Sequence, residues 1–263
     1  RYDRTITVPF CPESALSGIG QHFAEGCSLF YRRRLSLPAA PGLRTLLHIG
    51  AADQLLECYV NSNPVGTHTG GYTAMTFDIT DFLSAENELV LRVQDDLRDT
   101  AMPRGKQSRT PGGMWYTPVS GVWQSVWLER VPDGYIRALT IRTDCTRAVI
   151  DTGDPRHTGT VAVQTPYGAL TVPLVHGHAE IVPSAPRLWQ PDDPYLYTCT
   201  VTAGADRVQT YFALRTLETR KIDGVSRLCL NGTPIFLHGV LDQGYWPDGL
   251  YLSLIHISEP TRP

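Results

Sequence analysis

The chain has 263 residues, a formal net charge of -3, 42% hydrophobic residues and 19% charged residues, an ordinary folded composition with length enough for two domains. Its slightly acidic balance offers no general attraction to nucleic acid or anionic lipid, and no apolar run approaches the ~20 residues needed to cross a bilayer. Nucleic acid and membrane are therefore not expected as partners, and uncharged or small ones are.

The chain begins at Arg1 with neither a methionine nor a signal-like segment, so the expectation is that its original N-terminus is missing, and the compartment cannot be read. Alternating apolar patterns then recur along most of the length, broken by Gly, Pro, Asn and Asp, and only Thr80 to Asn87 invites a short helical turn. The fold class predicted is all-β. Leu56, Cys58 and Val60 share one strand face before the turn Asn61-Ser-Asn-Pro64. In Asn87-Glu-Leu-Val-Leu-Arg-Val93 the residues Leu89, Leu91 and Val93 face a core and Glu88, Val90 and Arg92 the other side. The same reading gives Val122, Val126 and Leu128 one face of Gly121-Val-Trp-Gln-Ser-Val-Trp-Leu-Glu129, and sets Trp123 and Trp127 together, packed under a neighbouring loop or domain. Many short strands with frequent turns argue for sandwiches.

The turn cluster Val131-Pro-Asp-Gly134 closes one set of strands and marks a domain boundary. A second set, expected to begin at Tyr135-Ile-Arg-Ala-Leu-Thr-Ile141, runs to about Thr219, and its ~85 residues suit a small immunoglobulin-like sandwich. Asn231-Gly232, between two apolar runs in Leu228-Cys-Leu-Asn-Gly-Thr-Pro-Ile-Phe-Leu237, is a strong hairpin signal because both residues tolerate positive φ. The final Leu252-Ser-Leu-Ile-His-Ile-Ser-Glu-Pro-Thr-Arg262 resembles a translated sequencing adaptor and is set apart from the fold.

Cofactor chemistry finds no support. Cys11, Cys27, Cys58, Cys145, Cys199 and Cys229 contain no C-x-x-C pair and several occupy strand positions, which predicts free thiols. His22, His48 and His68 lack ligand spacing, no nucleophile elbow accompanies a Ser-His-Asp set, and Gly18-Ile-Gly20 lacks the strand-to-helix setting of a phosphate loop. No metal and no cofactor are expected.

An ordered series of motifs begins with Val8-Pro-Phe-Cys-Pro-Glu-Ser-Ala-Leu-Ser-Gly-Ile-Gly20 and Tyr31-Arg-Arg33, and continues through Gly70-Gly-Tyr-Thr73, Phe77-Asp-Ile-Thr-Asp81, Glu86-Asn-Glu-Leu89, Val93-Gln-Asp-Asp96, Pro103-Arg-Gly-Lys-Gln107, Trp115-Tyr-Thr-Pro118 and Gly121-Val-Trp-Gln124. The series resembles glycoside hydrolase family 2, the β-galactosidase-like enzymes. Leu188-Trp-Gln-Pro-Asp-Asp-Pro-Tyr-Leu-Tyr197 and Tyr211-Phe-Ala-Leu-Arg215 extend it, with Ala213 where similar sequences often have glycine, and His238-Gly-Val-Leu-Asp-Gln-Gly-Tyr-Trp-Pro-Asp-Gly249 looks like the lead into a first barrel strand. The resemblance implies a jelly-roll sugar-binding-type sandwich over residues 1–131, an immunoglobulin-like sandwich over 132–219, a hairpin and first strand of a truncated (β/α)8 barrel over 220–251, and the adaptor-like tail over 252–263.

It also implies a retaining hydrolase, in which two carboxyl groups ~5 Å apart donate a proton and attack the anomeric carbon. In this family both are glutamates of later barrel strands, and a barrel needs ~250 residues, so no catalytic residue is assigned in this chain. Substrate-binding candidates are Asp96, carried over from the family's pattern beside the loop Pro103–Gln107, and Asp242 and Gln243 where the first barrel strand ends. Trp246 could stack on a sugar ring. Each has a plainer reading: Asp96 in local salt bridges of a solvated turn, Asp242 and Gln243 in a structural turn, Trp246 in packing. The expected partner is a carbohydrate substrate, with a homo-oligomeric parent left open. The rival reading is a stand-alone carbohydrate-binding or structural β-sandwich protein.

Overall fold

The computed structural model describes residues 2–24, 26–99 and 101–253; most of the adaptor-like tail, from residue 254 on, lies outside them. The described residues are all-β. Helical elements among them are single 3₁₀ turns, Ala15–Ser17 and Thr80–Phe82. The second sits where the sequence invites a turn. The chain divides into two compact units, one taking in the chain to Val131 together with the segment from Leu241 onward, the other Pro132–Val240.

In the first unit the strands are β1 (Ser28–Ser36), β2 (Leu43–Ile49), β3 (Ala52–Asp53), β4 (Leu55–Val60), β5 (Asn63–Thr69), β6 (Met75–Asp78), β7 (Glu86–Gln94), β8 (Gly121–Val122) and β9 (Val126–Pro132). They form an antiparallel sheet β1-β7-β4-β5, a sheet β6-β2-β9 and the short pair β3-β8. The alternation predicted for Asn87–Val93 is the packing observed: Leu89, Leu91 and Val93 join Leu56, Cys58 and Val60 from the neighbouring strand in a core shared with Leu47, Ile49 and Met75 from the other sheet. Two sheets, each apolar on one face, therefore close on each other.

The second unit holds β10 (Thr140–Thr143), β11 (Ala148–Asp151), β12 (Gly159–Thr165), β13 (Gly168–Leu174), β14 (His178–Ile181), β15 (Tyr197–Ala203), β16 (Asp206–Phe212), β17 (Leu217–Ile222), β18 (Val225–Leu230) and β19 (Thr233–Pro234). The sheets β10-β11-β14 and β13-β12-β15-β16 bury Ile150 and Ile181 against Val161, Tyr197 and Val201. A third sheet, β17-β18-β19, contains the hairpin whose turn residues are Asn231 (φ 51°) and Gly232 (φ 81°), so the left-handed backbone that the Asn-Gly pair permits is the one adopted.

Two strand expectations need correction. Tyr135–Leu139 carries no ladder, and the first strand of the second unit begins at Thr140. Ile136 is buried there and its N–H donates to Asp206 Oδ2 (2.7 Å), so a side chain replaces the pairing a neighbouring strand would supply. The run Gly121–Glu129 is likewise not one strand, because it breaks between Val122 and Val126. Trp123 and Trp127 consequently part: Trp123 Nε1 donates to Gly71 O (2.8 Å), whereas Trp127 is about half exposed and stacks on His48 at 4.9 Å. All six cysteines stand free, and burial raises the thiols of Cys11 and Cys58 to about 12 and that of Cys199 to about 11.

Ile150 is fully buried between the two larger sheets of the second unit, and Tyr211 on β16 is largely exposed. Ile150→Ala should lower the stability of that unit by about 2–5 kcal/mol, while Tyr211→Ala should stay within about 0.5 kcal/mol. Urea denaturation followed by circular dichroism measures both.

Candidate functional site

The polar interior of the first unit is assembled from loops. Gln107, at the end of the Pro103–Gln107 motif, is buried and its side chain makes three contacts. Its Oε1 accepts from Val119 N (2.6 Å), and its Nε2 donates to Asp53 Oδ2 (3.3 Å) and to Tyr72 Oη (3.4 Å). One amide thereby ties the 103–107 loop to β3, to the Gly70–Thr73 turn and to the run before β8. Tyr72 continues the network to Tyr251, whose hydroxyl lies 3.0 Å away.

The segment from Leu241 onward is pinned to the same place. Gln243 Oε1 accepts from Lys106 Nζ (3.2 Å) and from Tyr116 Oη (3.0 Å). Tyr245 stacks on Tyr116 (4.6 Å, 25°) and donates its hydroxyl to Thr117 O. Trp246 and Leu250 exchange backbone hydrogen bonds across Pro247-Asp-Gly249, and Ser14 Oγ donates to Asp248 O (2.7 Å). Leu250 packs with Cys11 and Val119.

These contacts locate the four residues singled out in the sequence. Gln243 is exposed but held against the 103–107 and 115–118 motifs. Trp246 is half-buried in its turn, and Asp242 is exposed beside Gln243. Asp96 belongs to a separate network at the end of β7, where Arg98 Nε donates to its Oδ1 (2.7 Å) and Arg98 Nη2 to its Oδ2. The Arg98 guanidinium pulls the Asp96 carboxyl down to about 2, with the Arg98 backbone N–H adding to the effect. Asp96 is thus an acceptor whose ionised form is favoured and which is already engaged by a fork of donors.

Other carboxyl groups gather more deeply. Glu13 accepts from Ser120 N (3.1 Å) and Ser120 Oγ (2.5 Å), and burial raises its carboxyl above the ordinary glutamate range. Asp95 accepts from Gln54 Nε2 (2.7 Å). Asp53 is 2% exposed and lifted to about 7, chiefly by burial and then by the charge of Asp95. Glu13 and Asp95 line a cavity of about 260 Å³ together with His22, Arg109, Thr117 and Ser120. Polar groups of both signs converge there, a lining suited to hydroxyl-rich ligands. Among the described residues no group of three or more His, Cys, Asp or Glu side chains is arranged to hold a metal ion.

Residues 138–215 match the family model described as glycosyl hydrolases family 2. Over those residues the chain is similar to family 2 glycosyl hydrolases. Over 227 residues, 76% of the chain, it is 26% identical to a β-galactosidase of Thermoanaerobacter pseudethanolicus, of which it covers 29%. Over 88 residues, 33% of the chain, it is 34% identical to a putative β-glucuronidase of Formosa agariphila and covers 10% of that protein. The chain therefore spans less than a third of either curated relative. Among solved structures, the β-glucuronidase of an uncultured Clostridium species superposes with a TM-score of 0.71 at 18% identity, over 95% of this chain and 45% of the other, which establishes likeness of fold. Of the motifs read in the sequence, Leu188–Tyr197 and Tyr211–Arg215 fall within the matched residues, and the curated relatives are glycosidases by name.

The buried amide of Gln107 gives this region a direct test. Gln107→Ala leaves Val119 N–H without its acceptor and should destabilise the first unit by about 1–3 kcal/mol. Gln243→Ala, at an exposed position, should change stability by less than about 0.5 kcal/mol. Chemical denaturation monitored by tryptophan fluorescence, with Trp123 beside Tyr72, separates the two.

Proposed function

We propose that this chain forms the non-catalytic front of a retaining glycoside hydrolase acting on O-glycosyl compounds, with β-galactosides, β-glucuronides and β-mannosides as the substrate class, in carbohydrate metabolism. In this reading residues 1–131 are a jelly-roll sugar-binding-type domain, 132–219 an immunoglobulin-like sandwich and 220–251 the lead into a (β/α)8 barrel. The family match over residues 138–215 carries the reading, since it falls on the second strand set of the chain. Curated relatives that are β-galactosidase or β-glucuronidase by name, and about threefold or more longer than the stretch matched, support it further.

Retaining hydrolysis needs one carboxylic acid that can give up a proton and a second carboxylate that can attack, ~5 Å apart across one glycosidic bond. Asp96 is held ionised by Arg98, and Asp242 stands on an exposed segment. Glu218 is paired with Arg220 on β17 (2.6 Å). None of these supplies an acid and a nucleophile facing each other. The role proposed for this chain is therefore to shape and support a substrate site, with Gln243 held by Lys106 of the 103–107 loop at its edge and Asp242 and Trp246 on the same segment. The cavity in the first unit gives the binding-protein reading its footing, and sugar binding without turnover is compatible with both.

Purified chain should hydrolyse no chromogenic β-galactoside, β-glucuronide or β-mannoside above background, and a longer chain continuing past Leu250 into a barrel should. Turnover by the purified chain that disappears on changing Asp96, Asp242 or Glu218 to alanine would place a catalytic acid here and overturn the proposal.

A further inference from the structure

Asp53 ends β3 in a setting that suits a carboxylic acid and not a carboxylate. Its Oδ2 receives one hydrogen bond, the 3.3 Å contact from Gln107 Nε2, and its Oδ1 has no hydrogen-bond partner among the described residues. That oxygen presses on the Gly70–Thr73 turn: a Cβ at Gly71 would lie 2.3 Å from it, so the carboxyl group occupies the space a side chain there would need. Among the described residues, the charged groups that act on it are like charges. Asp95 approaches from the end of β7 and Glu13 from the N-terminal segment, and both act on Asp53 as like charges. Tyr72 and Tyr251 face it from the turn and from the C-terminal segment. The cations of the adjoining loop point elsewhere, Arg104 to Leu97 O and Lys106 to Gln243.

We propose that Asp53 is a proton-operated clasp: protonated, it allows Gln107, Gly71 and Tyr72 to close around it, and ionised it forces that knot apart, so that the seating of the 103–107 loop and of Val119 responds to pH. The link to Val119 is mechanical. Gln107 holds Val119 N–H at 2.6 Å with the same amide that reaches Asp53, so a Gln107 side chain drawn toward or displaced by a carboxylate releases that N–H. A lone buried charge between two like charges costs far more than the single amide hydrogen bond returns.

The direction with pH follows from the raised pKa of the Asp53 carboxyl. Asp53 sits at about 7 in the folded unit, above the ordinary aspartate value of the unfolded chain, so the folded state holds its proton more tightly. Its contribution to stability is complete below about pH 4 and is lost as pH rises through about 7. This is opposite in sign to Asp96, whose lowered value contributes stability above about pH 4 that disappears on acidification.

The test compares the wild-type chain, Asp53→Asn and Asp95→Asn from about pH 5 to about pH 8.5, following thermal unfolding and amide exchange at Val119 with all proteins at matched pH. The thermal midpoint of the wild type should fall relative to Asp53→Asn as pH rises, and Val119 should exchange about tenfold faster, or more, in the wild type at the alkaline end while the two agree at the acid end. Removing the Asp95 charge should move the onset of Val119 exchange to lower pH. That last comparison stands without Asp53→Asn, should that variant fail to fold. A constant offset between wild type and Asp53→Asn across the range, or a Val119 onset that Asp95→Asn leaves in place, would overturn the proposal.

Discussion

A strand whose side chains alternate between apolar and polar can meet water on one side only, and nearly everything else in this chain depends on that constraint. In the first unit, β4 and β7 present Leu56, Cys58, Val60, Leu89, Leu91 and Val93 to one side, and a second apolar face carrying Leu47, Ile49 and Met75 removes them from water. The second unit repeats the solution with different residues, Ile150 and Ile181 against Val161 and Val201. The two cores are separate clusters, each complete within its own unit. Once these faces are paired the connections are confined to the rims, and the rims are where the polar chemistry of the first unit collects.

How far the sequence could be read follows from the same physics. Period-two alternation is a local signal, so strands such as Glu86–Gln94 and Leu55–Val60 were legible, and so was the Asn231-Gly232 turn, whose conformation is set by two residues alone. Tyr135–Leu139 looked like a strand because its alternation is genuine, but a strand also needs a partner, and Asp206 takes the Ile136 N–H instead. Trp123 and Trp127 were placed on one face because alternation was carried across Trp123–Ser125, where the ladder is interrupted. Pattern counts positions; it does not register where pairing stops.

The candidate site was legible in proportion to how local its determinants are. Gln243 and the 103–107 motif could be named from family resemblance, yet nothing in either stretch says that Lys106 and Tyr116 converge on one Gln243 oxygen. Asp96 was read both as an acceptor for a hydroxyl and as a partner in local salt bridges, and it is engaged by Arg98 two residues on, an i to i+2 pairing that the sequence Asp96-Leu-Arg98 already contained. Asp53 and Glu13 were not singled out at all. Asp53 follows Ala51-Ala52 and precedes Leu55-Leu56, and a lone acid in so apolar a run is the one signal that could have marked it as buried.

The carboxyl groups of the first unit then divide by environment more than by position. Asp95 and Asp96 are adjacent in sequence, but a strand end sends their side chains to different surroundings, Asp96 to an exposed guanidinium and Asp95 to Gln54 and the cavity wall. Glu13 and Asp53 sit where burial favours the neutral acid, whereas Arg98 holds Asp96 as the anion. A neutral carboxyl can donate as well as accept, and an ionised one can only accept. Gln107 and Gln54 add amides, which do both. Together these groups gather donors and acceptors around the cavity that Glu13 and Asp95 line.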